Sequence, residues 1–96
     1  MSISYGDFVS GYKLDDVYPN PFNPSTTINF SVAEQMDLSL VIYDMQGRVV
    51  ETLVNQNFIP GVYSVNWNAQ NLASGIYFAR LSSLNYEQTQ KLMLIK

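Results

Sequence analysis

The chain is 96 residues long, 47% hydrophobic and only 14% charged, the balance of one folded domain and not of a disordered tail. Its five cations (Lys13, Arg48, Arg80, Lys91 and Lys96) are scattered against eight acids for a net charge of −3, so it lacks the basic footprint that nucleic acid or an anionic membrane requires. With no His and no Cys, it can build no Ser-His-Asp triad, thiol nucleophile, imidazole or thiolate zinc site, disulfide, iron–sulfur cluster or His-ligated haem.

Met1 to Gly11 mix small, polar and aromatic residues without a period, and residues 1–13 read as a linker ahead of a domain at 14–96. A short first strand is expected around Leu14 to Tyr18. Tyr18-Pro19-Asn20-Pro21-Phe22-Asn23-Pro24 then holds three of the four prolines, and proline lacks the N–H of a ladder, so this piece is extended or turning. Thr26 to Val32 places Ile28, Phe30 and Val32 on one face and Thr27, Asn29 and Ser31 on the other, the alternation of a half-buried strand. Leu38, Leu40 and Ile42 repeat it. Asp44-Met45-Gln46-Gly47 is a turn, with Asp suited to its first position and Gly to φ > 0, and leads as a hairpin into Arg48 to Val54. Neither parity of that strand is cleanly apolar, which predicts a bulge or an edge.

Asn55 to Gly61 reads as loop. Val62 to Trp67 sets Tyr63, Val65 and Trp67 on one side, and Asn68 to Gly75 returns the chain through turn residues. Gly75 to Ser82 and Gln88 to Ile95 supply the last two strands. The count is seven, spaced as in an all-β antiparallel Ig-like sandwich of Greek-key type, with no helix longer than about one turn. The expected core is Trp67, Tyr77, Ile28, Phe30, Leu40, Ile42, Val65 and Leu81. Leu72-Ala73-Ser74-Gly75-Ile76-Tyr77 has the form of a tyrosine corner, whose role is structural. With Ile42 and Tyr77 facing inward, Tyr43 and Phe78 point away from the core. They either cover a flank against the N-terminal segment or form an exposed aromatic patch for a sugar or a protein.

What chemistry survives belongs to Asp7, Asp15, Asp16, Glu34, Asp37, Asp44, Glu51 and Glu87. A glycosidase pair needs a cleft walled by more chain than this, so a non-enzyme is expected. Asp15-Asp16 with Asp37 and Asp44 hint at calcium, but no spaced acidic loop exists and turn chemistry accounts for Asp at turn starts; no metal and no cofactor are expected. The longest apolar runs, such as 40–43 and 92–95, have four residues against the roughly 20 of a membrane span. If the protein is exported, its N-terminal signal is expected on a larger parent.

Four stretches together resemble a known family. They are Tyr18-Pro19-Asn20-Pro21-Phe22-Asn23-Pro24-Ser25-Thr26-Thr27-Ile28-Asn29-Phe30, Val41-Ile42-Tyr43-Asp44-Met45-Gln46-Gly47-Arg48-Val49-Val50, Ala73-Ser74-Gly75-Ile76-Tyr77-Phe78-Ala79-Arg80-Leu81 and Lys91-Leu92-Met93-Leu94-Ile95-Lys96. In order and spacing they resemble the type A C-terminal sorting domain of the type IX secretion system, a relative of the Ig-like domain of flagellar hook-capping proteins. The resemblance implies a non-catalytic module that takes a cargo, already in the periplasm, to an outer-membrane translocon and on to the cell surface or medium. A surface sortase commonly removes it, and the cargo is released or attached to lipopolysaccharide.

By the same resemblance the recognition elements are Pro19, Asn20 and Pro21, the Gly47-Arg48 turn, Gly61, Ser74, Gly75, Ile76 and Tyr77, and Lys91 through Lys96. A chain ending on Lys96 fits a native C-terminus. A reader of that terminus needs an accessible edge, and a last strand ending in a cation offers main-chain groups and a charge. The expected partners are the translocon or its shuttle, the sortase and the preceding cargo, with the domain itself a monomer and no nucleic acid involved. Two other readings remain. One is a carbohydrate-binding module stacking sugars on Tyr43, Phe78, Tyr86 or Phe58; the other is a spacer within a longer secreted chain.

Overall fold

Alternating side chains in short runs produce seven strands in the computed structural model, which describes residues 11–96. Most of the expected linker, residues 1–10, lies outside the described residues. The strands are β1 (Tyr12–Leu14), β2 (Ser25–Val32), β3 (Met36–Tyr43), β4 (Val49–Phe58), β5 (Gly61–Asn68), β6 (Gly75–Ser82) and β7 (Glu87–Leu94). They form two antiparallel sheets, ordered β1-β2-β5 and β4-β3-β6-β7, stacked as an Ig-like sandwich.

The inward parity of each strand is the apolar one. Ile28, Phe30 and Val32 from β2 meet Leu38, Leu40 and Ile42 from β3, Tyr77, Ala79 and Leu81 from β6, and Leu92 and Leu94 from β7, all buried. Two aromatic clusters fill the ends of this layer. Phe58 stands edge-on to Phe30 and Tyr63, with centroids 5.2 and 4.8 Å away, and Trp67 lies 5.4 Å from Phe22 and 5.8 Å from Tyr77. Seven of the eight expected core residues are buried; Val65 is only half-buried, because β5 is the outer strand of the smaller sheet and lacks a neighbour on one side.

Three expectations need correction. The first strand is Tyr12–Leu14 and not 14–18; Tyr18 makes only an isolated bridge to Thr27, since Pro19 ends the supply of N–H groups just beyond it. The segment 55–61 is not loop up to Gly61. Asn55, Gln56 and Asn57 continue β4 opposite Ser39, Leu38 and Asp37, and Phe58 closes the strand opposite Met36. An outer strand needs few apolar residues to stay paired, so its polar run looks like a loop in sequence. Phe58 is also no sugar platform, being 4% exposed. The bulge and edge expected for this strand are both present, with register shifts at Leu40/Val41 and Ile42/Tyr43.

Candidate functional site

The expected recognition residues fall into separate places, and the most informative is where Pro19, Asn20 and Pro21 meet the terminal strand. After bridging β2 at Thr27, the chain crosses from the smaller sheet to the larger one and lies along the outer edge of β7. The Asn20 side-chain amide acts there as a peptide group: its Nδ2 donates to the Lys91 carbonyl at 2.8 Å and its Oδ1 accepts the Met93 N–H at 3.0 Å. Phe22, the first residue past the two prolines with an N–H to give, completes the edge in parallel. Its N–H donates to Met93 O and its carbonyl accepts from the Ile95 N–H, both at 2.9 Å. Its ring is buried at 2% exposure against Trp67. Pro19 O accepts from Thr26 Oγ1 at 2.6 Å and Pro24 O from Ala69 N–H at 2.9 Å, fixing both ends of the crossing.

The main-chain edge of the last strand is therefore occupied from Lys91 O to Ile95 N–H, contrary to the open edge expected from sequence. The physical reason is that an unpaired edge in a stable sandwich invites aggregation, and this chain covers it with its own lead-in. The edge of β1 is treated alike. Gln88 on β7 donates through Nε2 to Tyr12 O at 2.9 Å and accepts the Leu14 N–H at 2.8 Å, and Tyr12 Oη donates to Tyr86 O at 2.6 Å. Two side-chain amides thus join the sheets along one side. Sequence reading missed Tyr12, Phe22 and Gln88; a Phe between prolines was the one local signal of a buried anchor.

Lys96, at the far end, donates from Nζ to Gln70 O at 2.7 Å, holding the turn after β5. Beside that turn a hollow lined by Val50, Glu51, Asn68, Gln70, Asn71 and Leu72 contains a single carboxylate, and Glu51 accepts the Trp67 Nε1–H at 3.3 Å. Among the described residues no group of three His, Cys, Asp or Glu side chains gathers as a metal site. Asp15 lies 3.9 Å from the Lys13 amine, Asp37 accepts from Asn57, and Asp44 serves its turn.

Gly47 and Arg48 build the β3–β4 turn. Gly47 takes φ of 81°, and Asp44 accepts N–H groups from Gln46 at 2.9 Å and Arg48 at 3.0 Å as well as Arg48 Nε at 2.9 Å. The Arg48 backbone N–H is the chief cause that holds the Asp44 carboxyl below its ordinary range. Since the folded pKa is depressed, the stabilisation is full above the unfolded value, about 3.9, and disappears as pH falls through the folded value. Melting curves of the wild type and Asp44→Ala should therefore differ most near neutral pH and converge in acid. A gap that stays constant into acid would show that the ionised carboxylate is not what holds this turn.

Ser74 precedes β6, Gly75 and Ile76 open it, and Tyr77 Oη donates to Ala73 O at 2.6 Å, which makes the tyrosine corner a structural device as expected. Gly61 opens β5. Tyr43 and Phe78 are direct cross-strand neighbours on the outer face of the larger sheet, but the Arg80 guanidinium sits 4.5 Å over the Tyr43 ring. Phe58 is buried and Arg80 covers Tyr43, while Tyr86, 55% exposed, stands in the connection between β6 and β7.

Comparison with known proteins agrees with this architecture. A sequence model described as the secretion system C-terminal sorting domain matches residues 16–96. No curated protein matches the chain. Among solved structures, the chain is similar to PorZ, an essential bacterial surface component of the type-IX secretion system of human oral-microbiomic Porphyromonas gingivalis. The identity is 25% and the TM-score 0.61, over 94% of this chain and 12% of that one. Dimeric latent PorU from Porphyromonas gingivalis shares the fold, with 16% identity and a TM-score of 0.63 over 88% of this chain and 9% of that one. The chain thus spans about a tenth of the length of either structure.

Proposed function

The chain belongs to the secretion system C-terminal sorting domain family and is a non-catalytic sorting domain, and from that premise we propose that it is a type A signal read by a type IX translocon. In this reading a cargo precedes it, a separate N-terminal signal delivers both to the periplasm, and a shuttle or the translocon engages the folded domain. The cargo then reaches the surface or medium, with a surface sortase as the enzyme that removes the domain. The carrying observation is that two of the stretches that resemble the family, 18–24 and 91–96, form one hydrogen-bonded unit although Asn20 and Met93 are 73 residues apart. A reader can then recognise in one folded place that the domain is complete. Gln88 and Asn20 close the β1 and β7 edges, among the described residues only the outer strands β4 and β5 keep free edges, and the domain acts as a monomer in this reading.

The test fuses the chain behind a signal peptide and a reporter in a host with a compatible type IX translocon. The reporter should reach the surface or medium. Deleting 91–96 should trap it in the periplasm, because buried Leu92 and Leu94 and the partners of Asn20 and Phe22 go together. Lys96→Ala leaves the strand intact and should reduce export less. If the full fusion stays periplasmic while an established sorting domain exports in the same host, the reading fails and a spacer role replaces it.

A further inference from the structure

The two outer faces of the sandwich differ in a way that packing does not require. A solvated sheet face is normally polar, because alternation sends the apolar residues inward. The smaller sheet obeys this where Thr27 faces Asn66 and Asn29 faces Ser64. The larger sheet does not. Residues directly opposite one another share a face, so the registers Tyr43↔Val49, Tyr43↔Phe78 and Phe78↔Lys91 align Val49, Tyr43, Phe78 and Lys91 in one row across all four strands. Ile76 and Met93 lie beside the row on the same face, as do Val41 and Arg80. Val49 is 61% exposed and Met93 38%, while Tyr43, Phe78, Val41 and Ile76 are half-buried.

Charge indicates what fits there. Lys13, Arg48 and Arg80 each have an acid partner, and Lys96 donates to Gln70 O. Lys91 alone of the five has neither an ion pair nor a side-chain hydrogen bond among the described residues, and it ends the apolar row on a chain of net charge −3. A sugar would need a second open ring, which Arg80 over Tyr43 does not leave. A membrane would need more than the two cations on this face.

We infer that the outer face of the β4-β3-β6-β7 sheet docks a protein partner presenting a carboxylate to Lys91 beside apolar side chains that cover Val49, Tyr43 and Phe78. The inference rests on the sorting function and names the surface through which it is exercised. It also explains why terminal residues matter to a reader although their main-chain edge is occupied: Lys91 and Met93 turn their side chains outward while Asn20 and Phe22 hold their backbone.

The same export fusion tests it with substitutions at the two ends of the row. Lys91→Glu sets a negative charge against the partner's carboxylate, and Val49→Asp, at the far end of the row, places an unpaired charge among the partner's apolar side chains; each should lower export about tenfold. Lys91→Arg keeps the positive charge and should recover most of the export that Lys91→Glu loses, and Asn66→Asp on the opposite sheet should export like the wild type. Both altered positions are exposed, and thermal melts of the purified domains should agree within a few degrees. Normal export of Lys91→Glu and Val49→Asp beside an exporting wild type would overturn the docking face and leave the sorting function standing. A wild-type fusion that is not exported would overturn both. Equal loss in Asn66→Asp would mean that added negative charge alone blocks export, which also defeats the docking face.

Discussion

Trp67→Ala should lower the unfolding free energy by about 3–5 kcal/mol, the cost typical of truncating a buried Trp or Phe. Whole domains are commonly stable by about 5–15 kcal/mol, so the loss removes a large share. The ring is 1% exposed and touches three parts of the fold: Phe22 of the crossing segment, Tyr77 of β6 and, through Nε1, Glu51 of β4. Truncation leaves a cavity where the two sheets and the crossing segment converge. Urea unfolding of wild type and variant measures the difference. An equally stable variant would remove Trp67 from the centre of the core.

Phe22→Ala should cost about as much, about 3–5 kcal/mol, although this residue belongs to no strand. Its ring anchors the crossing segment, and the segment in turn satisfies the outer edge of β7. Losing the anchor weakens the grip of Asn20 on Lys91 and Met93 together with that of Phe22 on Met93 and Ile95. Urea unfolding should place Phe22→Ala near Trp67→Ala. A loss below about 0.5 kcal/mol, the usual effect of a surface substitution, would mean that the segment is merely laid on the surface.

The sandwich was legible because its inner strands obey a period of two. Ile28, Phe30 and Val32, or Leu38, Leu40 and Ile42, leave one face apolar whatever the neighbours do. The outer strand β4 was only half legible, since Asn55, Gln56 and Asn57 are held by register with β3 and not by burial. The site was least legible. That Asn20 and Gln88 replace backbone partners cannot be read from their surroundings in sequence, where one looks like a turn former and the other like a solvated strand residue. Their partners lie more than 70 residues away, a distance over which local pattern carries no information. The resemblance did point to 19–21 and 91–96 as important. It gave no reason for both to matter; in the fold each completes the other.

Amide hydrogen exchange at Met93 and Ile95 tests this coupling most directly. Both N–H groups face away from β6 and are paired only through Asn20 and Phe22, whereas the neighbouring backbone is paired within the sheet. In the wild type the two amides should be protected nearly as well as the sheet. In Phe22→Ala, at denaturant-free conditions where the domain is still folded, both should exchange far faster while Leu92 and Leu94 stay protected. Fast exchange of Met93 and Ile95 already in the wild type would contradict the account, since the terminal edge would then be open and the lead-in segment would not be part of the signal's fold.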